Sequence, residues 1–123
     1  MVKMAKSGKY DHLKVVENQW GNPTSCISVA RELEKIIYNT GLVGTYHLTC
    51  EGETNWYQFA KEIFKILHID MKVVPCSDRE YIRPARRPAN SRLEKMMLRL
   101  NGLPEMPHWK DALYEFLQTE KFD

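Results

Sequence analysis

Tyrosine stands four residues ahead of lysine twice in this chain, at Tyr10 with Lys14 and at Tyr57 with Lys61. On a helix that spacing sets a phenol beside an ammonium whose charge lowers the phenol's pKa for proton transfer. Tyr10 falls in a turn leading into a strand, so the helical relation the chemistry needs is absent there. Tyr57 and Lys61 share a predicted helix, but they sit among the core-type side chains Trp56 and Phe59 with no cofactor motif upstream. Neither pair is assigned a catalytic role. His12, His47, His68 and His108 are scattered, and none has the partner spacing that a metal site requires. Cys76 has no histidine nearby in sequence to make it a nucleophile. Cys26, Cys50 and Cys76 are odd in number and lack a C-x-x-C pair, which argues against a disulfide framework or structural zinc and fits a reducing cytoplasm.

The stretch most suited to chemistry is R-P-A-R-R-P-A-N-S-R-L, from Arg83 to Leu93. Pro84 and Pro88 fix their own φ and push Arg83 and Arg87 toward extended backbone, which makes the loop stiff and lowers the entropy lost when a ligand docks. Arginine offers a planar fork of donors that meets phosphate oxygens two at a time, so Arg83, Arg86 and Arg87 suit a phosphate better than lysines would. Ser91 followed by Glu94 reads as a capping box, which would end the loop at the positive end of a helix spanning Leu93 to Leu100. The same residues also fit a solvated, charged connector.

Positioning that loop requires a scaffold, and the pattern supplies one. Met1 to Ser7 reads as the last turns of a helix closed by Gly8, so residues 1–12 are expected to be the remnant of a preceding helix and turn, with 13–123 forming one α/β lobe. Leu13 to Gln19 is predicted as a strand, and Trp20-Gly21-Asn22-Pro23 as a bend leading to Thr24 or Ser25 as a helix cap. Ile27, Ala30, Leu33, Ile36 and Ile37 form an apolar stripe on the helix that follows, predicted to pack on that side, with Gly41 closing it. Gly44 to Cys50 alternates as a half-buried strand should. Thr54 is the expected cap of a helix from Asn55 to Leu67, with Trp56, Phe59, Ala60, Ile63, Ile66 and Leu67 read as a core stripe. Met71 to Pro75 gives a third strand, and a last helix starts near Pro107 with Trp109, Ala112, Leu113, Phe116 and Leu117 inward. This is an α/β order with loops collected near strand ends, where ligands sit.

Composition narrows the function. An apolar content of 43% over 123 residues supports a real core. A net charge of +2, from 18 basic and 16 acidic residues, is too small to drive nucleic-acid or membrane association, so any anion site must be local. No apolar run approaches the roughly 18 residues of a membrane span. No G-x-G-x-x-G follows a strand, so no nicotinamide cofactor is expected to bind this chain by itself.

Four segments together resemble a known family: V-V-E-N-Q-W-G-N-P-T from Val15, G-T-Y-H-L-T-C-E-G-E-T-N-W-Y-Q-F-A from Gly44, P-A-R-R-P-A-N-S-R-L from Pro84, and W-K-D-A-L-Y-E-F-L from Trp109. In this order and spacing they are similar to the carboxyl-terminal part of dTDP-4-dehydrorhamnose reductases, which are extended short-chain dehydrogenase/reductases. The resemblance implies a two-part enzyme: a Rossmann domain holding NADPH and the catalytic tyrosine and lysine, and a smaller substrate-binding region that closes over the dTDP-sugar. Only the second part is matched, so the chain reads as a fragment or split-gene product, inactive alone, needing a Rossmann domain in cis or in trans. By the same resemblance, Arg87 would meet the substrate diphosphate and Asn90 a sugar or ribose hydroxyl. Gln19, Trp20 and Thr24 match the segment along the nucleotide end, where Trp20 would stack on thymine or serve as a structural staple. Arg86 is either a second phosphate ligand or a surface charge. The alternative is a non-catalytic nucleotide-binding or partner-docking module derived from the same fold. An uncovered interface predicts self-association.

Overall fold

The computed structural model describes residues 1–39, 41–81, 84–85 and 87–119. Chain order is α1 (Val2–Lys6), β1 (His12–Val16), β2 (Trp20–Gly21), α2 (Cys26–Tyr38), β3 (Thr54–Asn55), α3 (Trp56–Ile66), β4 (Lys72–Cys76), a short 3-10 turn (Asp78–Glu80), α4 (Met96–Leu100) and α5 (Trp109–Thr119). The strands form two small sheets. β1 lies parallel to β4, with Leu13 opposite Val73 and Val16 opposite Cys76, and β2 lies antiparallel to β3, with Trp20 opposite Asn55.

Helix α3 is the hub, because its apolar stripe is wide enough to serve two cores. On one side Ala60 and Phe64 pack with Leu13 and Val15 of β1 and with Ala5 of α1. On the other, Phe59 and Ile63 pack with Cys50 and with Trp109, Ala112, Leu113 and Leu117 of α5. Phe59 and Trp109 meet with ring centroids 5.8 Å apart. Two neighbouring helices are capped as their sequences demand. Ser25 accepts from the Ile27 N–H at the start of α2, and Asn55, one residue later than the expected Thr54, accepts from the Gln58 N–H at 2.8 Å to start α3.

Three expectations are corrected. The segment from Gly44 to Cys50 keeps the predicted alternation only as far as Leu48, with Tyr46 and Leu48 half-buried and Thr45 and His47 exposed; Thr49 is half-buried next to the fully buried Cys50, and the segment is not a strand. A ladder needs a neighbour, and among the described residues no strand lies beside this one; only Glu51, just beyond it, bridges to His108. Helix α2 buries the opposite face from the one predicted. Ser28 and Glu32 are buried, whereas Ile27, Leu33 and Ile37 of the apolar stripe are exposed, Ile37 at 72%. The basic loop does not run into a capped helix either: α4 begins only at Met96, its first residue has no side-chain cap, and the Ser91–Glu94 capping box is not formed. Ser91 instead donates its hydroxyl to the Trp20 carbonyl, and Glu94 pairs with Arg99. A capping box does form elsewhere, between Ser77 and Glu80.

Candidate functional site

The site is built where the basic loop is stitched to the bend after β1. The Trp20 N–H donates to the Ala89 carbonyl at 2.8 Å, and the Ser91 N–H donates to the Trp20 carbonyl at 2.9 Å, so Trp20 and Asn90 bridge as a parallel pair. β3 pairs with the other edge of β2. Gly21 permits the approach, since a Cβ there would stand 2.9 Å from Ser91 Oγ. Backbone pairing therefore carries Arg87 to Gln19 and Trp20, far apart in sequence, and holds all three against the start of α3.

Two cavities open at this seam. The larger, about 610 Å³, is lined by Leu13, Val15, Gln19, Trp56, Tyr81, Arg87 and seven others. The smaller, about 260 Å³, is lined by Trp20, Asn22, Asn55, Trp56, Phe59, Arg87 and six others, Gln19 among them. Gln19, Trp56 and Arg87 are common to both. A concave, largely apolar surface with a few convergent polar groups is the usual form of a small-molecule site.

Ion pairing separates Arg87 from the basic residues that follow it in the loop. Arg92 pairs with Glu53, Arg99 with Glu94, and the buried Lys95 with Glu51 at 3.0 Å. Among the described residues Arg87 has no carboxylate partner, and its guanidinium stands exposed where the two cavities meet. An uncompensated arginine on a proline-stiffened loop is suited to a di-anionic ligand.

The floor of the larger cavity is held by the residues after β1 and β4. Asn18 and Asp78 lock together twice: the Asn18 amide donates to Asp78 Oδ1 at 2.7 Å, and the Asp78 N–H donates to Asn18 Oδ1 at 3.0 Å. The Asn18 bond, followed by bonds from Ser77 and Gln19, holds the Asp78 carboxyl below its usual range. Glu80 is held low by the Ser77 N–H and by Lys14, 3.2 Å away. Burial, with help from Glu80, pushes the Cys76 thiol up, which makes it a poor nucleophile. The Lys61 ammonium lies 5.3 Å from the centre of the Tyr57 ring, a contact of the ring face rather than of the phenol oxygen. Among the described residues no group of histidines, cysteines and carboxylates is placed to hold a metal.

The remaining candidates are distributed differently. Thr24 lines neither cavity; its hydroxyl donates to the Asn22 carbonyl at 2.8 Å and accepts from the Cys50 N–H at 3.1 Å, tying the bend to the chain before Glu51. Asn90 Oδ1 accepts from both the N–H and Nε of Arg92, at 3.1 and 2.9 Å, so this side chain shapes the loop. Arg83 and Arg86 lie outside the described residues. Trp56 is the residue that sequence reasoning placed elsewhere: its helical spacing put it in the core, but as the first residue of α3 it is 41% exposed and faces both cavities.

With this geometry in place, known proteins give a consistent answer. A family model described as the RmlD substrate binding domain matches residues 1–122. The chain belongs to the RmlD substrate-binding family. A dTDP-4-dehydrorhamnose reductase of Sinorhizobium fredii is 36% identical over 112 residues, covering 83% of this chain and 38% of that protein. A crystal structure of a dTDP-4-dehydrorhamnose reductase from Clostridium acetobutylicum is 42% identical and superposes with a TM-score of 0.87 over 96% of this chain and 42% of its own. One from Bacillus anthracis, solved in complex with NADP, is 35% identical with a TM-score of 0.85, over 97% of this chain and 42% of its own. The chain thus spans about two fifths of the length of these reductases.

RmlD membership settles the fold as the α/β substrate-binding region expected from the four sequence segments. The two parallel strands of this chain are followed by Glu17-Asn18-Gln19 and Ser77-Asp78-Arg79, with no glycine-rich turn to cradle a pyrophosphate.

Proposed function

We propose that this chain is the nucleotide-sugar-binding portion of a dTDP-4-dehydrorhamnose reductase, holding dTDP-4-dehydro-L-rhamnose in the step that yields dTDP-L-rhamnose for polysaccharide synthesis in the cytoplasm. The observation that carries this reading is Arg87, unpaired among the described residues and presented at the junction of two cavities by the Trp20–Ser91 stitching. In this reading Arg87 engages the diphosphate with both arms of its fork, Gln19 and Trp20 meet the nucleotide end, and Thr24 and Asn90 keep the bend and loop in shape.

Hydride transfer belongs to a part of the family enzyme that this chain does not supply. NADPH and the catalytic tyrosine and lysine would come from a Rossmann domain, in cis or in trans, meeting the exposed stripe of α2. The 123-residue chain mixed with NADPH and the keto sugar is expected to give no absorbance loss at the nicotinamide band, whereas dTDP-L-rhamnose is expected to bind it. Replacing Arg87 with alanine should weaken that binding about tenfold to a hundredfold, the loss of a charge-assisted pair. NADPH oxidation by the chain alone, or unchanged binding by the Arg87→Ala variant, contradicts the proposal.

A further inference from the structure

Trp56 lines both cavities, and among the described residues nothing accounts for so exposed an indole at the start of a helix. Its neighbours on α3, Ala60 and Phe64, are almost wholly buried, while Trp56 stays 41% exposed with Arg87 beside it in both cavities. Its orientation is fixed rather than free. Phe59 meets it edge-on at 6.3 Å between centroids, and the Asn55 cap and the β2–β3 pair anchor the backbone on its amino-terminal side. A half-exposed aromatic face next to an arginine unpaired among the described residues is a pair of complementary contacts for a planar heterocycle carrying a diphosphate.

The two cavities differ in what they can accept. The smaller has a second indole, Trp20, with Asn22 and Asn55 also on its walls; Asn22 Nδ2 bonds the Gly52 carbonyl and Asn55 Oδ1 caps α3, which leaves Asn22 Oδ1 and Asn55 Nδ2 for the polar edge of a pyrimidine ring. The larger is more than twice the volume and mostly apolar, with Met4, Leu13, Val15 and Tyr81 on its walls, which suits a deoxyhexose carrying a methyl group. We infer that Trp56 is the stacking residue of the nucleotide: its indole takes the pyrimidine face in the smaller cavity, Arg87 holds the diphosphate at the junction, and the sugar extends into the larger cavity. This rests on the nucleotide-sugar reading given above and assigns to that site a residue and an orientation for the ligand.

The test compares dTDP, inorganic pyrophosphate and dTDP-L-rhamnose by titration calorimetry on the full 123-residue chain, with Trp56→Ala, Trp56→Phe and Arg87→Ala. Base stacking on an aromatic ring predicts that Trp56→Ala weakens dTDP about tenfold and leaves pyrophosphate unchanged, and that Trp56→Phe recovers most of the loss. Arg87→Ala should weaken all three. Equal loss of dTDP and pyrophosphate in both Trp56 variants means the indole only supports the wall, and overturns the inference. Loss confined to the extra affinity of dTDP-L-rhamnose over dTDP puts the indole against the sugar and overturns it as well. If the alanine variant does not fold, intermolecular nuclear Overhauser contacts between the Trp56 ring and the thymine protons in wild type decide, and their absence contradicts the stacking. Failure of the wild-type chain to bind any of the three removes the site reading itself, an outcome distinct from selective effects at Trp56.

Discussion

At the scale of single residues, charge pairing rather than charge count marks Arg87 as the candidate anion-binding arginine among the described residues of the loop. The basic loop looks uniform in sequence, but the fold brings Glu53 to Arg92 and Glu51 to Lys95, leaving Arg87 uncompensated among the described residues. Arg87 is a candidate in sequence because Arg87, Pro88 and Asn90 resemble the family's unit; the neutralisation of Arg92 and Lys95 is not readable there, because Glu53 and Glu51 lie far away in the chain. Trp56 was misread because helical spacing reports which face a residue occupies and not whether the helix start is covered. The carboxylates at the cavity floor give a pH prediction. Asp78 and Glu80 are held low by hydrogen bonds from Asn18 and from the Ser77 N–H, respectively. A depressed folded-state pKa contributes stability that is fully present above the ordinary carboxylate value of about 4 and is lost as pH falls through the lower folded value. Thermal midpoints measured between about pH 6 and about pH 3 should therefore fall less steeply for Asp78→Asn than for wild type. Parallel slopes would show that the Asn18–Asp78 contact is not linked to protonation.

At the scale of elements, the helices were readable from caps and periodicity, and the failures occurred where an element depends on a neighbour. Gly44 to Leu48 has strand alternation without a ladder, and the predicted capping box at Ser91 lost its serine to the Trp20 carbonyl. The Asn55 cap of α3 supports both the hub helix and the Trp56 wall, so Asn55→Ala should cost about 1 kcal/mol of stability, measurable by urea unfolding. Gly52 gives a sharper case. It sits at φ 76°, and a Cβ there would fall 2.2 Å from His108 Nε2 and 3.0 Å from Trp109 Cδ1, in the seam where Glu51 exchanges backbone hydrogen bonds with Pro107 and Trp109. Gly52→Ala is expected to destabilise the chain by about 1–3 kcal/mol, from the left-handed backbone and the crowding together. A midpoint within experimental scatter of wild type would mean that the α5 seam is looser than its geometry indicates.

At the scale of the molecule, α2 turns its apolar stripe outward, with Ile37 72% and Tyr38 79% exposed and Val43, just beyond it, at 80%. Amphipathicity predicts that this face is packed, but among the described residues nothing covers it, so the sequence pattern and the burial disagree. Exposed apolar area of this kind promotes association. Sedimentation of the isolated chain should show self-association that Leu33→Glu and Ile37→Lys reduce, and a monomer at all concentrations would contradict this. In the proposed site Arg87 holds the diphosphate of a nucleotide sugar. Phosphorus resonances of dTDP-L-rhamnose, followed as the chain is added, test it most directly. Both diphosphate signals should shift or broaden with the wild-type chain and remain at their free positions with Arg87→Ala; signals unmoved by wild type, or moved equally by both, would contradict the account.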